Sequence, residues 1–515
     1  MILPLQRMNY ANAIQRSDLT YTQVHRRDVD SFYHLSGCSL AGKACNGTAC
    51  FIARHLNPSR WAEAAKQTPR VYCLGRCFAA PAIAIGSARP HVEVRSREAV
   101  VLRHMVKGVS RTLASYIAQG GYRSLEKGLE LSPGEIVFQM ELSELRGRGG
   151  AGFPTGRKWR SVFEAAASRQ QKNGSSAYVI ANADEGDSGA YIDHFIIEDD
   201  PFALLEGMTI AAKAVGASRG WIYLRAEHPQ GEAVLRDAIA EARHAGFLGE
   251  RVLGHDFSFD IDVAVGRGSY VCGEETALIR SIEGRRPEPQ ARPPMPSVRG
   301  LFGKPTLVNN VETIANVPWI VERGAETYRA LGFSKSRGTK AVSLNSLFNR
   351  PGLYEIEFGA SVRHIVEELG GGLRTGRLKG VIIGGPLAGI IPPHLLDTPF
   401  GFEELHAIGA SVGHGGVVAF DEHTSIAALM HHVFSFGAYE SCGKCTPCRL
   451  GSPRIEHIFA DIVRDGAANY WDEKECERII SALKLTSLCG LGTGLAEFAE
   501  SALRHYGKEL ELCFR

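Results

Sequence analysis

From Leu145 to about Asn316 the chain alternates short apolar runs with stretches of helical spacing. Ala177-Tyr178-Val179-Ile180, Gly220 to Leu224 and Phe259 to Val265 have strand length and run into polar or glycine-rich turns. Leu204 to Val215 and Gly231 to Ala245 repeat their apolar positions at helical intervals. This alternation predicts an α/β layer. Ala99 to Gly120 is also helically spaced and predicts a connector into that layer. Around Ser334 to Gly338 the residues turn short, polar, basic and glycine-rich, which predicts a boundary. Beyond it, Ala341 to Leu347, Gly352 to Phe358 and Gly380 to Ile383 read as strands around one helix, Ser361 to Leu369: a small β-grasp-like unit without evident catalytic residues. Helical spacing dominates the rest.

The chemistry gathers in the turns. Ser143 to Trp159 (SELRGRGGAGFPTGRKW) holds five glycines between Gly147 and Gly156, then Arg157 and Lys158. Gly147, Gly149, Gly150 and Gly152 let backbone lie against a flat or anionic ligand, and the cations fall where a helix begins. Arg148, Phe153 and Trp159 favour a binding loop over a plain surface turn. The strand Ala177–Ile180 ends in Asn182-Ala183-Asp184-Glu185-Gly186-Asp187-Ser188-Gly189, and Phe259–Val265 runs into a second glycine turn with Tyr270, Gly273, Glu274 and Glu275. Acidic residues at such strand ends serve either as solvated surface or as acceptors for ribose hydroxyls or a carboxamide. Asn309 and Asn310, paired at a turn after Gly303 to Val308, suit a helix cap or a phosphate or flavin contact.

Composition narrows the classes. At 515 residues more than one domain is expected, and a net charge of +2 argues for no nucleic-acid partner. The first thirty residues or so lack a basic end followed by an apolar core, and the most apolar stretch, Val381 to Leu396, is interrupted by glycine and proline. A cytoplasmic protein with no direct membrane insertion is therefore expected. Cysteines cluster at both ends, which in such a chain reads as metal ligation. Cys442, Cys445 and Cys448 have C-x2-C-x2-C spacing, and Cys489 lies beyond them, a pattern that favours [4Fe–4S] over zinc. Cys45 and Cys50, with Cys73 and Cys77, form C-x4-C and C-x3-C pairs that suit a [2Fe–2S] cluster; structural zinc or a site without metal are the alternatives. Cys38 reads as no ligand, Cys476 and Cys513 as packing residues.

Together RGRGGAGFPTGRKW, NADEGDSG, YVCGEETALI, KPTLVNNVET, ESCGKCTPCR and TSLCGLG resemble the NADH-binding flavoprotein subunit of complex I and its diaphorase relatives, from about Leu145 to the C-terminus. The resemblance implies a Rossmann-like FMN- and NAD(H)-binding α/β domain (106–335), a β-grasp domain (336–400), a helical [4Fe–4S] domain (401–515) and a shortened thioredoxin-like [2Fe–2S] domain (1–105), the last preceded by Asp30-Ser31-Phe32-Tyr33. It implies that Gly147, Arg148, Gly149, Gly150 and Lys158 hold FMN with Asn182, Asp184, Tyr270, Gly273, Glu274, Asn309 and Asn310. Phe153 stacks on NADH, while Glu185, Asp187 and Glu275 lie near the nicotinamide and its ribose, Glu185 orienting the carboxamide. Ser161 and Met295 stand where complex I relatives place aromatics against adenine, which implies a more open adenine end. The acidic turn is more similar to the formate dehydrogenase branch, so the implied partner is a molybdenum or tungsten formate dehydrogenase α subunit, with a small [2Fe–2S] subunit as a further possibility. The hydrogenase diaphorase and the complex I subunit are alternatives, as is an N-terminal region that serves only for docking. The chain's end soon after Cys489 implies that the extra C-terminal ferredoxin domain of some relatives is absent.

Overall fold

A computed structural model describes residues 29, 32–84, 88–108, 111–173, 177–468 and 470–514. Asp30 and Ser31 lie outside them. Strand β1 (His91–Val94) leads into the expected connector, of which only Leu113–Ala118 is helix. The cause is a distant carboxylate. Buried Glu355 accepts the backbone N–H groups of Val100 (3.1 Å), Val101 (2.9 Å) and Leu102 (2.9 Å) and the Thr339 hydroxyl, which holds this stretch as a turn despite its helical spacing.

The first sheet contains β2 (Ala177–Ala183), β3 (Ala217–Leu224), β4 (Asp260–Val265) and β5 (Thr306–Asn310), all parallel, in the order β4-β3-β2-β5. Its strands are rich in Val, Ile and Ala because helices cover both faces. The almost wholly buried helix Pro201–Val215 is one of them. Its one interior carboxylate, Glu206, is satisfied by the Tyr116 and Ser124 hydroxyls and the N–H groups of Tyr122 and Leu125. The chain steps one way from β2 to β4 and returns to the other side for β5. That reversal opens a crevice at the carboxyl ends of β2 and β5, the usual ligand position in such sheets. Asn182 stands opposite Asn310 in the register, so two motifs remote in sequence meet there.

The expected boundary at 334–338 is the turn of a small hairpin, β6 (Gly332–Phe333) with β7 (Ser336–Arg337). A second sheet follows from β8 (Thr339–Leu344), β9 (Gly352–Glu357), β10 (Leu378–Ile383), β11 (Ile390–Ile391) and β12 (Gly416–Asp421), in the order β1-β9-β8-β12-β10-β11. The expected 336–400 unit is thus only part of this sheet: β1 joins from before it and β12 from after it, pairing with β9 and with β8 and β10. Both were missed because β1 is four residues long and β12 follows a helix, Phe402–Ala407.

The helices Ile426–Glu440, Thr446–Asp465, Tyr470–Thr486 and Gly490–Glu511 form the C-terminal part. Among the described residues of the N-terminal part, helices Thr48–Ile52 and Pro58–Lys66 are accompanied by the short 3-10 turns Ala53–Leu56 and Cys77–Ala79 and by isolated bridges, Ala44 to Ile83 and Cys45 to Val71. This part packs on Ile426–Glu440: Phe51 stacks on His432 (ring centroids 4.1 Å) and Tyr72 meets Phe436 edge-on (5.1 Å). No described helix is long and apolar enough to cross a membrane.

Lys340 of β8 and Glu312, just after β5, join the two sheets as a fully buried ion pair. The ammonium also donates to the carbonyls of Ala341 (2.8 Å) and His414 (2.9 Å), and Glu312 accepts the Ala341 N–H. Lys340→Met leaves Glu312 charged and alone, which costs about 3–5 kcal/mol. Thermal unfolding should show a lowered midpoint in K340M and partial recovery in K340M/E312L; an unchanged midpoint in K340M would contradict the account.

Candidate functional site

The glycine-rich loop is a tight hairpin. Gly147 N–H donates to Phe153 carbonyl (2.9 Å) and Thr155 N–H to Leu145 carbonyl (2.8 Å), after which the helix Thr155–Asn173 begins. Gly150 and Gly152 have φ of 122° and 58°, a region open to glycine. A Cβ on Gly149 would stand 2.8 Å from that of Asn310, so the loop lies against the end of β5 only because position 149 is glycine.

Between this loop and the strand ends is a cavity of about 650 Å³, lined by Gly147, Gly149, Phe153, Arg157, Lys158, Asn182, Gly273, Glu274, Glu275, Asn309 and Asn310. Lys158 Nζ donates to Glu275 (3.0 Å) and to Val308 carbonyl (3.0 Å). Asn182 donates to Gly273 carbonyl (2.8 Å), locking the two acidic turns together. Buried Trp159 donates its indole N–H to Asn309 Oδ1 (3.0 Å). Glu274 caps the helix Glu275–Ile282 through the N–H groups of Thr276 and Ala277, and also pairs with Arg292. Asn310 both caps Val311–Ala315 and lines the cavity. Phe153 is 49 % exposed, its ring face available to a flat partner. Ser161 and Met295 also border the cavity, with Ser161 Oγ hydrogen-bonded to Ser297 Oγ (2.8 Å).

Six expected contact residues do not line the cavity: Gly150 in the loop, and Arg148, Asp184, Glu185, Asp187 and Tyr270 behind the wall. Arg148 is fully buried, its guanidinium given to Arg146 carbonyl, Tyr328 hydroxyl (2.8 Å) and Arg337 carbonyl (2.8 Å) over the Phe358 ring. It anchors the loop to the hairpin β6–β7 and has no side-chain reach to a ligand. Asp184 is buried beside Arg225 (3.5 Å), and desolvation still pushes its carboxyl up to about 7. Its second oxygen has no partner. Asp187 accepts the Tyr270 hydroxyl (2.7 Å). Glu185, expected to orient a carboxamide, instead accepts the N–H groups of Ile192 (2.7 Å), Asp193 (3.2 Å) and His194 (3.0 Å). Both of its oxygens are committed to the start of the helix Ile192–Asp199. A carboxylate at a helix N-terminus is well placed electrostatically but is not available to a ligand there.

The sequence missed Asp193, His414 and Arg292. Asp193 looks like one more acid in a helix, and Arg292 stands in a proline- and arginine-rich stretch, Arg285 to Pro296, with no motif of its own. For His414 the flanking Gly413 and Gly415 are the only hint.

Of the four C-terminal cysteines, Cys489 is in the cavity wall. Cys489 and Cys445 are the N-cap residues of Gly490–Glu511 and Thr446–Asp465, and Cys448 lies in the first turn of the latter. Two helix N-termini therefore point positive ends at one thiol group, a setting that favours thiolates. The sulfurs of Cys442, Cys445 and Cys448 all act electrostatically on Cys489, whose thiol burial pushes up to about 12. Such thiols ionise at neutral pH only when a metal takes the proton's place.

At the N-terminal end, Cys45, Cys50, Cys73 and Cys77 are all buried. Each sulfur receives a backbone N–H: Gly47 to Cys45 (3.4 Å), Ala82 to Cys50 (3.3 Å), Gly75 to Cys73 (3.4 Å) and Gly189 to Cys77 (3.3 Å). The four sulfurs lie together: Cys73 Sγ is 3.4 Å from Cys77 Sγ, and Cys50, Cys73 and Cys77 all act on Cys45. Cys38 is exposed and apart.

Residues 140–319 match the family model described as the Nuo51 FMN-binding domain, and residues 428–513 match the NADH-ubiquinone oxidoreductase-F iron–sulfur binding region. An NADH-quinone oxidoreductase subunit of Rhizobium meliloti (strain 1021) is 42 % identical over 414 residues, 80 % of this chain and 96 % of that protein. The chain belongs to the NADH-quinone oxidoreductase family of FMN-binding subunits. It is an FMN-dependent NAD(H) oxidoreductase subunit. The NADP-reducing hydrogenase subunit HndC of Solidesulfovibrio fructosivorans is 40 % identical over 401 residues, covering 78 % of this chain and 80 % of its own. In fold the chain is similar to a chain of the crystal structure of NAD+-reducing [NiFe]-hydrogenase in the H2-reduced state, with TM-score 0.80, 27 % identity, and coverage of 99 % and 91 % of the two chains. The cavity fits the family's flavin: its volume lies within the roughly 300–1,000 Å³ of cofactor sites, and glycine backbone, amide groups and the first turn of a cationic helix face it.

Glu185→Gln should remove a charged acceptor from three N–H groups and lower stability by about 1.5–3 kcal/mol. The expected readout is a lower thermal midpoint with the KM for NADH little changed. A selective rise in KM at unchanged stability would return Glu185 to the ligand.

Proposed function

We propose that this subunit exchanges hydride with NAD(H) at the cavity and passes single electrons to two cysteine-held clusters. The observation that carries this is the placement of Cys489 in the wall of the same cavity that holds the glycine loop and the strand-end amides. FMN would be held by Gly147, Gly149 and Lys158, with Asn182, Gly273, Glu274, Asn309 and Asn310 around it and Gly150 and Asp184 behind them. When bound, FMN supplies the conversion between two-electron hydride transfer and one-electron transfer. Phe153 presents a ring face for the nicotinamide nucleotide at the cavity mouth, and Glu275, oriented by Lys158, accepts from ribose or carboxamide. Neither Glu185 nor the Arg148 side chain has a ligand-binding part in this reading. Cys442, Cys445, Cys448 and Cys489 hold the [4Fe–4S] cluster.

We assign Cys45, Cys50, Cys73 and Cys77 to a [2Fe–2S] cluster. The C-x4-C and C-x3-C spacing, with Cys73 Sγ 3.4 Å from Cys77 Sγ, supports two ligand pairs, Cys45 with Cys50 and Cys73 with Cys77. Gly189, at the end of the acidic turn, donates its N–H to Cys77 and so ties this group to the flavin-side loop. Both cysteine groups then suit a reducing, cytoplasmic setting.

The partner proposed is the large subunit of a molybdenum or tungsten formate dehydrogenase, on the form of the acidic turn Asp184–Gly189. A hydrogenase partner is the second reading, favoured by the likeness over 99 % of the chain to a chain of an NAD+-reducing hydrogenase. Metal analysis of the large subunit that co-purifies decides: molybdenum or tungsten supports the first, nickel the second, and a partner with none of these sinks both.

Cys445→Ser should abolish the [4Fe–4S] signal while retaining flavin, and Cys73→Ser should remove about two iron atoms per chain and leave the other cluster. Full iron and sulfide in either variant would refute that ligand set.

A further inference from the structure

Behind the Asn310 wall of the cavity is a row of ionisable side chains that the hydride reaction leaves without a role. His414 stands in the turn before β12, next to Gly413, which bridges to Gly150 of the glycine-rich loop. Its Nε2 is 3.0 Å from Asp193 Oδ2 and its Nδ1 is 3.4 Å from Asp187 Oδ2. Nε2 is also 3.1 Å from Asn310 Nδ2, whose N–H is given to Asp193, and because a neutral imidazole donates from one nitrogen only, carboxylate oxygens at both nitrogens favour the imidazolium.

The charge balance agrees. Glu185, Asp193 and His414 lie together and Asp187 flanks them, so three carboxylates surround His414; His194, which also acts on Glu185, is paired with Glu198. The nearby ammonium of Lys340 touches His414 through its carbonyl but is paired with Glu312. Burial alone would drive the His414 proton off; Asp193 and Asp187 outweigh it and hold the imidazole well above its usual range. The row reaches the cavity through side chains already placed in or against its wall. Asn310 donates to the Asp193 oxygen that faces His414, and Tyr270 donates to Asp187.

We propose that His414 is a positioning residue that keeps a fixed positive charge behind Asn310 and so favours the state in which the cavity carries the negative charge of a delivered hydride. The idea rests on the flavin occupying this cavity. No proton moves and no bond changes at His414 itself. Charge in a buried site acts strongly on a neighbour because little solvent screens it.

The test is a spectroelectrochemical titration of the flavin in the FMN-loaded full chain and in H414Q, between about pH 6 and 9. H414Q should retain FMN and show a more negative flavin potential. The gap should widen as pH rises, because the carboxylates that take up the missing proton at low pH then release it. Equal potentials at every pH with full FMN would overturn the proposal, since a purely structural role leaves the potential unmoved. Should H414Q fail to fold, neutron diffraction of the unaltered protein at about pH 8 decides: deuterons on both ring nitrogens support the proposal, and one alone overturns it. Failure of the unaltered chain to take up FMN is a separate result, which refutes the flavin reading and leaves the neutron measurement to judge the buried charge.

Discussion

A single buried carboxylate, Asp193, holds the site together. It accepts from Asn310 at the end of β5, from His414 of the second sheet and from the Glu312 N–H at the start of a helix. Its own helix is anchored by Glu185 from the turn after β2. Two segments far from it in the chain, 310–312 and the turn at His414, therefore converge on one residue with no exposed surface. Left without these donors, a charge in that position would be prohibitively costly, so the segments are compelled to meet. The Lys340–Glu312 pair applies the same constraint a few residues away, and together they make the two sheets one unit around the cavity.

This arrangement separates holding from binding. The acids nearest the crevice divide into those whose oxygens are fully engaged in structure, such as Glu185, and those paired loosely enough to face a ligand, such as Glu275. The same division applies to the cations: Arg148 is an internal strut, whereas Lys158 reaches the cavity. The two cysteine groups follow the same geometry. One cysteine group touches the cavity through Cys489, and the other touches the loop behind it through the Gly189 N–H.

Much of the site was legible because its chemistry requires particular residues at short spacing. The glycines of 147–152, the C-x2-C-x2-C run and the strand-end acids declare themselves locally, and the parallel strands follow from apolar runs between helical ones. Less was legible where a distant partner overrides local preference. The helical spacing of 99–108 yields to the Glu355 carboxylate, and β1 and β12 are strands only because β9, β8 and β10 offer them edges. Glu185 and Arg148 were read as ligand contacts because a short motif shows which residues are near a site but not which way each side chain points.

The sequence by itself determined the parts: a glycine loop fit for close backbone approach, acids at strand ends, and two thiol groups with cluster spacing. Those properties reside in residue type and local separation. Only the tertiary structure decided which parts meet. The strand order β4-β3-β2-β5 sets Asn182 opposite Asn310, and the second sheet delivers His414 to Asp187 and Asp193. Strand order and the neutralisation of buried charge are properties of the whole chain, since each depends on partners hundreds of residues apart.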